Sequence, residues 1–287
     1  MNYSCKLQEI SGFSGMKRIY AKRVDLLQRG GGNKVPRFDA FFKKHGHLKK
    51  VVTLSNPGAH TFFILKNYLT TDPDKPGAES FIFLERSMAA NPYSQALSNE
   101  YLKDHRIKVY RKSFFKQFFI FLYYKFFKLG AKTVGIGGHI RLRENPYEAL
   151  FLEAINQLKD LTDNIKEVVH ILPIASGNMA EAFLKTIEKH KITRHSLYGL
   201  MTGDRATFLF LRMKYFFNHN IRLFRPGIYD YDRYIKKAKF FYKYSNIWLD
   251  PVHTIHFTDI LNDHFLQNKI VVLWITCPFV RQLYKYK

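Results

Sequence analysis

Three loops of small residues carry the side chains of this 287-residue chain best placed to do chemistry: GGGNK at 30–34, SNPGAHT at 55–61 and ASGNMA at 175–180. In the last, HILPIASGNMAEAFLKTI reads as a strand, then Ser-Gly-Asn, then a helix. Backbone N–H groups and the positive end of a helix dipole would point at whatever lies there, which suits a phosphate. An ordinary strand-to-helix turn has the same pattern. In the second loop Ser55 offers a hydroxyl, Asn56 an amide and Gly58 close backbone approach, although either polar residue could equally cap a helix. In the first, Lys34 follows a glycine run, either as an incidental lysine on a surface turn or beside a backbone that something large approaches. Together, an amine, an amide and a phosphate turn are what a phosphorylated aldehyde cofactor needs.

The elements that must position these loops alternate. Strands are expected at 17–26, 49–55, 79–86, 133–138, 167–175, 196–203, 247–252 and 269–276; helices at 36–46, 60–69, 93–105, 113–128, 146–161, 178–190, 205–218, 230–244 and 258–265. Such alternation implies parallel sheets covered by helices, with ligands at the carboxyl ends of the strands.

Composition sets weaker bounds. Lys and Arg outnumber Asp and Glu by 46 to 23, which would attract nucleic acid, acidic membranes or small anions. The basic residues are scattered rather than blocked and no recognition motif accompanies them, which argues against a nucleic-acid partner. Cys5 and Cys277 fit neither a disulfide framework nor a zinc site. No metal is expected, and a reducing, cytoplasmic setting is favoured. The N-terminus lacks the basic and apolar regions of a signal peptide. The nearest approach to a membrane span, SFFKQFFIFLYYKFFKLG at 113–130, is interrupted by Lys116, Lys125 and Lys128, so it does not cross a bilayer. Its aromatics recur at helical spacing, and a buried amphipathic helix is expected there rather than a membrane-surface one.

Several motifs in order carry a more specific resemblance. IYAKRVDLLQRGGGNKVPRF, TLSNPGAH, TVGIGGHIRLRENPYEAL, ASGNMA and LDPVHT resemble, in turn, the Lys-Arg-Asp-Asp-Leu and Gly-Gly-Asn-Lys run, the Ser-Asn loop, the Gly-Gly turn, the phosphate loop and the Leu-Asp-Pro-Val-Tyr-Thr of one enzyme family. That family is the 1-aminocyclopropane-1-carboxylate deaminase and D-cysteine desulfhydrase group of pyridoxal-phosphate-dependent enzymes, whose fold is tryptophan synthase β-like (fold type II). The resemblance implies an α/β protein with two open parallel sheets: a large cofactor-binding domain from 1–39 and 145–287 and a smaller inserted domain at 40–144. It also implies pyridoxal 5'-phosphate, a small amino-acid substrate and a homodimer.

Carried over by position, the resemblance makes Lys34 the Schiff-base lysine and later the base that moves protons on substrate carbon. Asn56 would bond the cofactor's ring oxygen, and Ser55 would contact the substrate carboxylate or assist proton transfer. Ser176, Gly177, Asn178, Met179 and Ala180 would hold the phosphate, and Thr276 would face the pyridine nitrogen. Tyr229 would be the active-site tyrosine, with Tyr231 competing for that place. The departures are Val24 for the first Asp, Pro57 for a His, His253 for the tyrosine after Asp-Pro-Val, and Ile275, Cys277 and Pro278 where the family has His-Thr-Gly-Gly. His253 is either an acid or base in place of that tyrosine or a buried structural histidine. Two readings follow: a lyase or deaminase, or a diverged member that keeps the fold for a binding or regulatory role.

Overall fold

The computed structural model describes residues 5–10, 18–27, 32–54, 65, 67–86, 99, 103–127, 130–135, 145–161, 167–175, 177–202, 205–227, 230–250, 252–261 and 263–277. Two compact units share them, one from residues 1–27 and 147–279, the other from 28–146. The chain opens with β1 (Leu7–Ile10) and β2 (Arg18–Lys22) of the first unit. The second unit contains α1 (Val35–His45), β3 (His47–Leu48), β4 (Lys50–Thr53), β5 (Gly77–Ala78), β6 (Phe81–Arg86), β7 (Ile107–Lys112), α2 (Phe114–Phe127) and β8 (Ala131–Val134). The first unit resumes with α3 (Glu148–Leu161), β9 (Val168–Ile174), α4 (Asn178–Lys189), β10 (His195–Met201), α5 (Arg205–Lys214) and β11 (Ile221–Phe224). It closes with α6 (Tyr231–Ser245), the short α7 (Phe257–Ile260) and β12 (Ile270–Trp274).

In the first unit the sheet order is β1-β2-β12-β9-β10-β11. All neighbours pair parallel except β1 with β2. β9 reads VVHILPI and is buried at every position, as a central parallel strand covered on both faces must be. Its side chains alternate between two cores. Val168, Leu172 and Ile174 pack with Phe151 of α3, Phe183 of α4 and Leu211 of α5. Val169 and Ile171 face Ala238 and Phe241 of α6 and Phe257 of α7. Each fully buried aliphatic or aromatic side chain contributes about 2 kcal/mol through lost water contact. A polar tie supplements them: Lys22, fully buried, reaches Glu153 Oε2 at 2.7 Å, Gln157 Oε1 at 3.2 Å and the Cys5 carbonyl. Burial pushes the Cys5 thiol up to about 11.

The second unit has the parallel order β7-β6-β4-β8 and a small β3-β5 pair. Its α1 begins with Pro36 in the first turn and stops at Gly46, whose φ of +67° suits glycine. Phe42 of α1 stacks on Tyr68, ring centres 4.7 Å apart.

Three expectations are corrected. The 113–128 segment is helical, but it is not buried: only one side of α2 packs, through Ile120, Phe121 and Tyr124 against β4 and β6, and Phe115, Phe118, Phe119, Phe126 and Phe127 are exposed. A helix lying across one face of a four-stranded sheet has one side to bury, and this one carries aromatics all round. Segment 247–252 forms no strand, because the buried Asp250 carboxylate draws the following N–H groups into a turn. The helix expected at 258–265 breaks into α7 and a 3-10 turn at His264–Leu266. The expected helices at 60–69 and 93–105 fall mostly outside the described residues. Among the described residues, no helix is long and apolar enough to cross a membrane.

Candidate active site

The carboxyl edge of the large sheet collects most of the described candidates. From β9 the chain proceeds to β10 and β11 on one side, then returns to place β12 on the other. The switch point therefore lies between β9 and β12, where open α/β sheets form their ligand crevice. β9 delivers the 175–180 loop there, and β12 delivers Thr276.

Gly177 opens α4 with φ +80° and ψ −8°, a left-handed conformation. A Cβ at Gly177 would come within 2.9 and 3.1 Å of the Leu211 methyls. The backbone thus favours glycine, and a Cβ there would also make Leu211 shift. It leaves the start of α4 without a side-chain cap. A helix presents its first-turn N–H groups outward with a positive dipole behind them. Met179 and Ala180 are buried in the core beneath, and Asn178 is half-buried. This backbone cradle at a strand end fits a phosphate group.

Thr276 is 4% exposed at the end of β12. Its position is set from β2: Ile275 N–H donates to the Lys22 carbonyl at 3.0 Å, and Asp25 N–H donates to the Ile275 carbonyl at 2.8 Å. Asp25 receives a bidentate pair from Arg23, at 2.9 and 2.8 Å. Burial raises the Asp25 pKa, partly offset by that guanidinium. Ile275 is fully buried within the core on the α6 side of the sheet, and Cys277 is 2% exposed.

His253 reaches the same edge through LDPVHT. Asp250 Oδ1 accepts from Val252 N–H at 3.0 Å and His253 N–H at 2.9 Å, while Oδ2 accepts from Thr254 N–H at 2.9 Å and its hydroxyl at 2.7 Å. This closed turn directs His253 Nδ1 to Thr202 Oγ1, 2.9 Å away. Thr202 is in turn held by its N–H on the Ile174 carbonyl at 2.9 Å, one residue before the 175–180 loop. His253 is therefore half-buried at this edge, close to the start of the 175–180 loop.

In the second unit, Lys34 ends the 3-10 turn Gly32–Lys34 and leads directly into α1. Gly32 has φ +57°, so at least this glycine has a backbone reason to precede the lysine. Lys34 is half-buried, seated by the core residues Val35, Phe38, Phe41 and Phe42 that follow it. Ser55, Asn56, Ser176 and Tyr229 lie outside the described residues. The sequence reading missed Thr202 and the organising role of Asp250. The signals available were a threonine directly after a strand in LMTG and an Asp-Pro followed by Thr in LDPVHT.

Two further features lie elsewhere. A cleft of about 680 Å³, lined by Ile187, Lys191, Thr193, Lys214, Phe217 and His219, is at the opposite, amino end of the strands. Inside the sheet, Trp274 Nε1 at the carboxyl end of β12 donates to His170 Nδ1 at 3.0 Å, and His170 Nε2 lies 2.8 Å from His195 Nδ1 at the start of β10. Burial lowers both histidines, His170 well below its ordinary value and His195 to about 4.

No protein-family model matches this chain, and no curated protein does. Solved structures do. An ACC deaminase homologue matches with a TM-score of 0.68 and 17% identity, over 99% of this chain and 94% of that one. A fungal L-serine ammonia-lyase from Rhizomucor miehei matches with 0.65 and 11%, over 98% and 96%. An O-acetylserine dependent cystathionine beta-synthase from Helicobacter pylori matches with 0.60 and 10%, over 97% and 94%. The chain has the tryptophan synthase β-like α/β fold, fold type II of the pyridoxal-phosphate-dependent enzymes. At these identities the likeness concerns the fold.

Proposed function

We propose that this protein is a pyridoxal-phosphate-dependent lyase or deaminase acting on a small amino acid, D-cysteine desulfhydrase-like or 1-aminocyclopropane-1-carboxylate deaminase-like. The observation that carries the reading is the Gly177 cradle at the switch point between β9 and β12, with the Thr202–His253 pair beside it. The activities named for the structural neighbours, ACC deaminase homologue, L-serine ammonia-lyase and threonine deaminase, support the reaction class.

On this reading the N–H groups of 176–180 hold the phosphate, Asn56 the ring oxygen and Thr276 the pyridine nitrogen. Lys34 Nζ is the amine that holds the cofactor's aldehyde. Bound there, the cofactor would supply an amine-reactive carbonyl and an electron-withdrawing ring. Lys34 would move a proton at the substrate carbon. Ser55 orients the substrate carboxylate. His253, with Nδ1 engaged by Thr202, exchanges a proton through Nε2 with the departing group, and Tyr229 lines the site. The chain works as a homodimer.

A second reading keeps the fold and loses the reaction. It is favoured by Cys277, buried at the end of β12 where the family carries glycine. A panel of small D- and L-amino acids assayed for ammonia, sulfide and 2-oxo acid separates the two. Turnover of at least one, lost in Lys34→Ala, is expected; a panel with no product from any member leaves the second reading.

A further inference from the structure

Helix α2 leaves a broad aromatic surface uncovered. Phe115 is 74% exposed, Phe119 67%, Phe126 66% and Phe127 75%, with Phe118 and Tyr123 also exposed. At about 100° per residue, Phe115, Phe119 and Phe126 fall within one arc of about 40°. Lys116 and Lys125, both exposed, flank that arc on opposite sides, each roughly 80–100° from its centre. The opposite side of the helix, with Ile120, Phe121 and Tyr124, rests on the sheet. FFKQFFIFLYYKFF contains no acidic residue.

We propose that α2 docks this protein on an anionic lipid bilayer surface. Phe115, Phe119 and Phe126 enter the headgroup boundary, and Lys116 and Lys125 meet the lipid phosphates on either side. An apolar stripe with flanking lysines is the pattern of a helix lying in the membrane plane. Lysine stems extend along apolar surface while the ammonium stays in water. At about 1.5 Å per residue this helix is far too short to span a bilayer, so it lies flat. The formal charge of +23 supplies attraction toward an acidic leaflet. A second copy is the poorer occupant: two α2 faces would bring together four lysines with no carboxylate from either helix to meet them. No residue of the proposed catalytic site lies on α2, so the docking stands or falls apart from the reaction.

The test is vesicle co-sedimentation of the full chain, with phosphatidylcholine alone and with phosphatidylcholine mixed with phosphatidylglycerol. Phe119→Ser/Phe126→Ser and Lys116→Glu/Lys125→Glu are compared with the wild type, each checked for an unchanged circular dichroism melt. Binding to phosphatidylglycerol vesicles that high salt abolishes, and that each double variant weakens at least about tenfold, is expected. Absence of binding would overturn the proposal, as would binding that either folded variant leaves unchanged. So would a concentration-dependent dimer lost in the Phe variant without vesicle binding, which would assign the face to a second copy.

Discussion

Asp250 commits both carboxylate oxygens to the turn that follows it, and His253 sits where it does because of that turn. Removing the carboxylate would orphan the buried N–H groups of residues 252–254. Asp250→Ala should destabilise the fold by about 3 kcal/mol, read from the midpoint of urea unfolding. The Thr202 hydroxyl lies 2.9 Å from His253 Nδ1 and 3.4 Å from the Ile174 carbonyl. Thr202→Val should lower kcat roughly tenfold or more and alter the pH profile of kcat, while Thr202→Ser restores both. A threonine with only a packing role would be mimicked by valine. The sequence singled out His253 through its place in LDPVHT, but not its partner. Thr202 is 51 residues away in sequence, and the two meet only because the strand pairing seats Thr202 on Ile174 while the Asp250 turn presents His253.

At the scale of elements, α4 and the loop before it test the phosphate assignment. Gly177→Ala forces a left-handed φ on an L-residue and drives a methyl into Leu211, costing about 1–3 kcal/mol. It should also weaken cofactor binding, measured by fluorescence titration with pyridoxal phosphate. Leu211→Ala added to it relieves the clash but not the backbone strain, so affinity should recover only in part. The strands around this loop were legible because VVHILPI and IVVLW are continuous apolar runs bounded by turns. β7 and β11 were not: IKVYRK and IRLF interleave charges with apolar residues over a few positions and carry no clear period. The aromatic helix α2 was legible as a helix and misread in burial, since periodicity cannot show whether a neighbour exists to cover a face.

For the molecule as a whole, stability should depend on pH through the buried His170 and His195. Folding holds both neutral, and the unfolded chain takes up their protons below about 6.5. Their contribution is therefore complete above pH 6.5 and declines as pH falls toward about 4, where folded His195 itself titrates. At pH 5 the loss from His195 alone is about 2 kcal/mol, which should appear as a lower urea midpoint at pH 5 than at pH 7. The fold class was readable because alternation, motif order and spacing agreed along nearly the whole chain. What the site does chemically was less so, because Ile275, Cys277 and His253 depart from the motifs that the rest of the chain resembles. The most direct test of the central claim is the visible spectrum of the purified protein after reconstitution with pyridoxal phosphate. An absorbance band of lysine-bound cofactor in the wild type, absent in Lys34→Ala, is expected; a wild-type protein that stays colourless after reconstitution contradicts it.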